Sequence, residues 1–185
     1  METTNLLLRP WLDSDGDLLL SYILNPLVGP AAGWLPPGAD EESKQILKNI
    51  LTHPDTYIIA LKAENYPLGC IALMPFGRSK LARDPREGEL GFWLGQEFWG
   101  HGYMSEALTA FLTYSFTVKK LSKVWFGYFA ENTRSKKLSA KFGFQYAYTR
   151  PFAYWPALHT VKEEKITELT VEAWQKTAKI KNPES

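Results

Sequence analysis

The 185-residue chain has room for one domain with a sizeable core and little for two, and its 45% hydrophobic and 22% charged residues read as globular rather than disordered. With 21 basic against 20 acidic residues and a formal net charge of +1, it makes no electrostatic case for a nucleic-acid partner. One cysteine, Cys70, excludes an intrachain disulfide, and no apolar run approaches the ~20 residues of a membrane span.

In chain order, the opening METTNLLLRP lacks the basic start and small-residue cleavage site of a signal peptide, which together with the lone cysteine predicts a cytoplasmic protein. Leu6 to Trp11 reads as a strand, and an acidic start leads into a helix from about Asp15 to Leu24. Asn25 to Ala39 carries four prolines and three glycines and predicts a loop or lid without a regular element, with Trp34 its one large aromatic. A second helix is expected from about Asp40 to Leu51, its apolar face made by Ile46, Leu47, Ile50 and Leu51. Strands follow at Tyr57 to Lys62 and, after a turn at Tyr66-Pro67, at Leu68 to Met74, apolar enough to be buried on both faces. A polar loop, GRSKLARDPREG, precedes a strand at Glu89 to Leu94. Met104, Ala107, Leu108, Phe111, Leu112 and Ser115 then repeat at helical spacing. Val124 to Ala130 is a strand, and Asn132 to Phe142 a helix ended by Gly143. Gln145 to Arg150 and Val161 to Leu169 form a final antiparallel pair, and a helix from about Val171 to Lys179 closes the chain. The order predicts an α/β fold with a mixed sheet and helices on both faces.

Between strand and helix lies LGQEFWGHGYMSEAL, Leu94 to Leu108. Two glycines at a helix start let backbone N–H groups approach an anion with no Cβ in the way, although Gly-x-Gly alone also fits a tight structural turn. A P-loop would need Lys and then Ser or Thr where Tyr103 and Met104 stand, and a dinucleotide fingerprint would need a third glycine where Ser105 stands.

Four segments in order carry a resemblance. NLLLRPWLDSD, GELGFWLG, FWGHGYMSEAL and ENTRSKKLSAKFGF resemble the first strand, fourth strand, pyrophosphate loop and Asn-x-x-Ser…Gly-Phe segment of the GNAT superfamily of acetyl-CoA-dependent N-acetyltransferases. The likeness is greatest to the branch related to ribosomal-protein alanine acetyltransferases. It covers about Leu6 to Leu169 and implies a single domain over 1–185 with the GNAT fold, a mostly antiparallel twisted sheet splayed between strands four and five. Glu97 stands where the superfamily signature often has Gln or Arg, so its carboxylate is expected to point away from a pyrophosphate.

The resemblance implies acetyl-CoA as co-substrate and an amine-bearing acceptor, either a small molecule or a protein N-terminus. The cofactor would meet the backbone of Phe92, Trp93 and Leu94, the amides from Trp99 through Gly100, His101, Gly102 and Tyr103 to Met104, and Asn132 and Ser135. Backbone N–H at Trp93 or Leu94 would stabilise the oxyanion. Three residues compete for proton transfer: Glu89 as a base acting through water, Ser135 as donor to the leaving sulfur, and Tyr128. Each also has a structural reading, as ion pair, helix-start hydrogen bond or ordinary strand tyrosine. Trp34, Glu89, Tyr128, Tyr154 and Trp155 would border the acceptor. His101 is expected to face solvent, His53 and His159 lack partners at ligand spacing, no metal motif is present, and Cys70 reads as an inert buried thiol. A monomer or homodimer without membrane or nucleic-acid partners is expected. The rival from another class is a CoA-binding sensor that performs no turnover.

Overall fold

The computed structural model describes residues 1–34, 49 and 51–181. Its elements are β1 (Leu6–Arg9), α1 (Gly16–Ile23), α2 (Val28–Ala32), β2 (Thr56–Leu61), β3 (Tyr66–Pro75), β4 (Glu87–Leu94), α3 (Tyr103–Thr117), β5 (Lys123–Phe129), α4 (Thr133–Lys141), β6 (Gln145–Trp155), β7 (Thr160–Thr170) and α5 (Val171–Lys181). Short 3-10 turns occupy Asp13–Asp15, Gln96–Phe98 and Pro156–Leu158. The strands form a seven-stranded mixed sheet in the order β1-β2-β3-β4-β5-β7-β6, flanked by helices. A parallel pairing, β4 with β5, joins Glu87, Gly88 and Glu89 to Lys123, Val124 and Trp125. Among the described residues no helix is long and apolar enough to cross a membrane.

The chain divides into two compact units. The first comprises Met1–Leu73, Gly91–Thr113 and Pro156–Leu158. Its core gathers Leu19, Tyr22, Ile23, Val28, Leu51, Ile58, Cys70 and Trp93. Arg9 and Asp15, 8% and 2% exposed, pair through two hydrogen bonds of 2.7 and 2.8 Å, and Asp15 also accepts the Leu12 N–H at 2.8 Å. This satisfied pair ties β1 to the turn that starts α1. The glycine of β3 packs backbone on backbone: a Cβ at Gly69 would stand 2.2 Å from the Trp93 carbonyl oxygen.

The second unit comprises Met74–Leu90, Tyr114–Trp155 and His159–Ser185. Period-two alternation sorts its strands into two faces. On one, Trp125 and Ile166 pack with Leu81 from the loop before β4. On the other, the Ser139 hydroxyl of α4 meets Thr167 Oγ1 at 3.2 Å, and Thr167 donates to the Phe126 carbonyl at 2.8 Å. The Trp174 ring of α5 stacks with Phe116 and Phe142.

Four expectations are corrected. Asn25 to Ala39 does contain a regular element, the five-residue α2, ended by Gly33 at φ 104°. Its proline, Pro30, falls in the first turn, where a missing N–H costs no helical bond. The turn after β2 lies at residues 62–65, with Asn65 at φ 53°, and Tyr66-Pro67 already belongs to β3. Pro67 is tolerated there because the β2–β3 register shifts beside it, between Ile59 and Ala60. β4 begins two residues earlier than the loop boundary suggests, at Glu87, 7% exposed, which accepts the Trp125 indole N–H at 2.8 Å. β6 runs on to Trp155, so Tyr154 and Trp155 are strand residues. The helix expected over Asp40 to Leu51 lies outside the described residues except for Asn49 and Leu51, and Leu51 is fully buried.

Candidate functional site

In the first unit, β4 runs through the 3-10 turn into the glycine loop and α3. Gly100 and Gly102 both hold φ 85°, and nothing among the described residues lies within 4 Å of where a Cβ on either would stand. The turn therefore needs glycine for its conformation, and its backbone borders open space just before a helix N-terminus, the arrangement that suits a phosphate. Ala107, Leu108, Phe111 and Leu112 of α3 are buried, as the spacing predicts. His101 is exposed and stacks on Tyr103 at 5.9 Å. Glu97 is exposed, with Oε2 3.1 Å from the position of a Cβ on Gly95, folded back over the start of the turn.

The strand part of the expected cofactor surface is partly engaged within the protein. The Leu94 carbonyl accepts the Trp99 indole N–H at 3.0 Å, and the Trp93 carbonyl is packed against Gly69. The Trp93 ring is buried and meets Trp34 edge to face at 6.2 Å. Trp34 packs against the first unit's core and over Gly29, and its indole N–H is buried with no hydrogen-bond partner among the described residues. Cys70 is 5% exposed, and burial pushes its thiol up to about 12, as an inert core position requires.

In the second unit, Asn132 caps α4, its side-chain oxygen accepting the Ser135 N–H at 3.0 Å. The cap reading of that pair is thus realised, and the half-buried Ser135 hydroxyl makes no hydrogen bond among the described residues. Ser135 lies one helical turn before Ser139, on the stripe that meets β7. Glu89 Oε2 accepts the Ser79 hydroxyl at 2.8 Å and the Lys80 N–H at 3.0 Å, fixing the loop before β4. Its register partner is Trp125, which puts Glu89 on the Trp125, Gly127 and Phe129 face. Tyr128 points to the opposite face, against Phe126 at 5.7 Å, and burial raises its phenol pKa although Lys165 opposes this. Tyr128 therefore shares a side with Ser135, and the structure does not bring it together with Glu89. Trp155 and Tyr154 separate in the same way: Trp155 meets Phe129 edge to face at 4.9 Å, with Lys80 Nζ 5.6 Å from its ring, whereas Tyr154 is 60% exposed.

Sequence reasoning missed Glu164, 4% exposed on β7 and paired with Arg150 of β6 at 3.0 Å. The available signal was alternation, since Glu164 stands two residues before the fully buried Ile166.

The acetyltransferase (GNAT) domain profile matches residues 5–145. Among curated proteins, the uncharacterized N-acetyltransferase YoaA of Bacillus subtilis (strain 168) is 33% identical over 69 residues, 37% of this chain and 39% of that one. The chain thus matches about two fifths of that relative's length. The uncharacterized N-acetyltransferase p20 of Bacillus licheniformis is 26% identical over 148 residues, 77% of this chain and 80% of that one. Among solved structures, a GNAT-family acetyltransferase from Bacillus anthracis superposes with a TM-score of 0.79 at 21% identity, covering 93% of this chain and 98% of that one. The ribosomal-protein-S5-alanine acetyltransferase from Vibrio fischeri gives 0.70 at 19% identity, over 94% and 97%. The fold is shared with both, and with the profile matched from residue 5 to residue 145 of 185, the chain belongs to the GNAT family of acetyltransferases.

Proposed function

We propose that this acetyltransferase takes its acetyl group from acetyl-CoA and passes it to a primary amine by direct attack on the thioester. The observation that carries the reading is the glycine turn, with two left-handed glycines whose Cα atoms face space left open by the described residues, ahead of a 15-residue helix. It fits the pyrophosphate of a CoA: the N–H groups from Gly100 to Met104 would hold the phosphates, the Trp99 N–H being donated to the Gln96 carbonyl at 3.1 Å, and a Cβ at either glycine would fill the cradle. In the first unit the backbone of Phe92 to Leu94, apart from the engaged Trp93 and Leu94 carbonyls, would meet a pantetheine arm; in the second unit Asn132 and Ser135 are the candidates for it.

The bound thioester supplies an activated carbonyl, and the protein's work is to position the amine and manage its protons. The Ser135 hydroxyl, free of protein partners among the described residues, would donate to the departing sulfur. A serine proton is weakly acidic, so this help is a hydrogen bond rather than full transfer. Tyr128, on the same side and held protonated by burial, is a second donor. Glu89 and Trp155 share the other face of the second unit and would present a carboxylate and a ring to an acceptor ammonium. The acceptor class this favours is an amine cationic at its head and apolar beside it. A protein N-terminus meets that description, as does a small amine.

Thiol release from acetyl-CoA over a panel of primary amines and short peptides tests the reading. Acceptor-dependent release is expected. Tight acetyl-CoA binding with no release above hydrolysis for any acceptor would favour the sensor reading instead.

A further inference from the structure

On the Glu89 face of the second unit, one carboxylate is held in a way that its ion pair does not account for. Glu164 is 4% exposed, and its cross-strand neighbours are Phe129 of β5 and Arg150 of β6. Arg150 donates to Oε2 at 3.0 Å, but the Arg150 side chain is 38% exposed, so the cation reaches out to solvent while the anion stays inside. Oε1 receives no hydrogen bond among the described residues. It lies beside Gly127, where even a Cβ would stand 2.6 Å from it. Oε1 is not among the polar atoms sealed from solvent without a partner, so it keeps a little exposure and a donor arriving from outside can reach it.

The charged groups facing Glu164 are Arg150 from β6, Glu89 from β4 and Lys80 from the loop before β4. Burial is the largest influence and raises its pKa; Arg150 lowers it, Glu89 raises it and Lys80 lowers it, and the net direction is upward. Glu89 is placed differently, because one of its oxygens is tied to the Ser79 hydroxyl and the Lys80 amide. A carboxyl tuned upward inside a protein suits the collection of a proton near neutral pH better than an exposed one.

We propose, resting on the transfer reading above, that Glu164 is the proton acceptor for the incoming amine, its unserved Oε1 taking a proton from the substrate ammonium while Glu89 lends negative charge to the bound cation. The N–H bond breaks with its electron pair left on nitrogen, and the proton moves to Oε1. That pair forms the new C–N bond as the C–S bond breaks with its pair on sulfur. The amine's second proton balances the thiolate, and Glu164 returns its own proton to solvent.

The test is the pH profile of kcat/KM for one amine that the wild type acetylates, with acetyl-CoA affinity measured by calorimetry. Glu164→Gln should lower kcat/KM by about 10²-fold or more and abolish the acid limb, with acetyl-CoA binding unchanged. Arg150→Met removes the cation that holds the carboxyl down, so the limb should move to higher pH. A purely structural pair would lower the melting temperature in both variants and leave the limb where it was. Kinetics within twofold of wild type in Glu164→Gln would overturn the proposal, as would a limb lost in Glu89→Gln but kept in Glu164→Gln. Should Glu164→Gln fail to fold, an unmoved limb in folded Arg150→Met overturns it. A wild type that binds acetyl-CoA yet acetylates no amine overturns the transfer reading itself, and this inference with it.

Discussion

At Gly100 and Gly102, conformation and environment can be separated. Both hold φ 85°, where any L side chain costs about 1–2 kcal/mol, but neither has a neighbour among the described residues that a Cβ would strike. Gly100→Val and Gly102→Val should therefore fold with a small loss of melting temperature and lose at least about tenfold in acetyl-CoA affinity, since 1.4 kcal/mol is tenfold in binding. Calorimetry on the folded variants decides this; wild-type affinity in both removes the anion site. Trp34 raises a different question. Its packing on Trp93 and Gly29 makes it a structural residue, yet its indole N–H is left without a partner among the described residues. Trp34→Ala should cost about 2–3 kcal/mol, less than the 3–5 of a fully buried aromatic. Trp34→Phe keeps a ring and removes the N–H. A raised acceptor KM with unchanged acetyl-CoA affinity in that variant would mark the N–H as an acceptor contact, and an unchanged KM would leave Trp34 as packing alone. Glu164 adds a pH dependence of defined sign. Its folded pKa is raised, so its ionisation costs stability, and the cost is absent below the ordinary carboxylate range and grows as pH rises through the folded pKa. Melting curves should show the Glu164→Gln protein gaining on the wild type as pH rises.

At the scale of elements, the strongest local constraint is the Arg9–Asp15 pair between β1 and α1. Asp15→Ala would leave the Arg9 guanidinium, 8% exposed, without its charge partner while it still donates to Asn65 Oδ1 and the Pro10 carbonyl, and should cost about 3 kcal/mol by denaturant titration. A loss under about 1 kcal/mol would mean that the Asn65 and Pro10 acceptors suffice for Arg9 without a counter-charge. The elements legible in sequence were those whose pattern is local. The helical period from Met104 to Ser115 gave α3, the apolar run Leu68 to Met74 gave the centre of β3, and Gly143, observed at φ 79°, gave the end of α4. Those that escaped depend on partners distant in sequence. Pro67 reads as a turn residue until the bulge against β2 is known, and Glu87 reads as loop until Trp125 is seen to donate to it. The candidate site divides likewise. The glycine turn and the helix-start Ser135 could be read from the chain, whereas the separation of Tyr128 from Glu89 follows from strand register, and Glu164 becomes notable only through Gly127 and Arg150 on neighbouring strands.

For the molecule as a whole, the alternation of strands and helices was readable, but the placing of β7 between β5 and β6 was not, because nothing local distinguishes an edge strand from its neighbour. One whole-chain feature has a practical bearing. The chain holds a single thiol, buried on β3 and pushed up to about 12. A chromogenic thiol reagent added to the native protein should therefore stay colourless on the minutes scale, and every equivalent that appears during an assay would come from CoA. The same silence makes Cys70 a gauge of breathing. Any reaction it does show reports transient opening of strand β3, and its rate across a denaturant series would measure how often the centre of the first unit comes apart. Prompt labelling in buffer alone would mean that β3 opens far more readily than its burial implies.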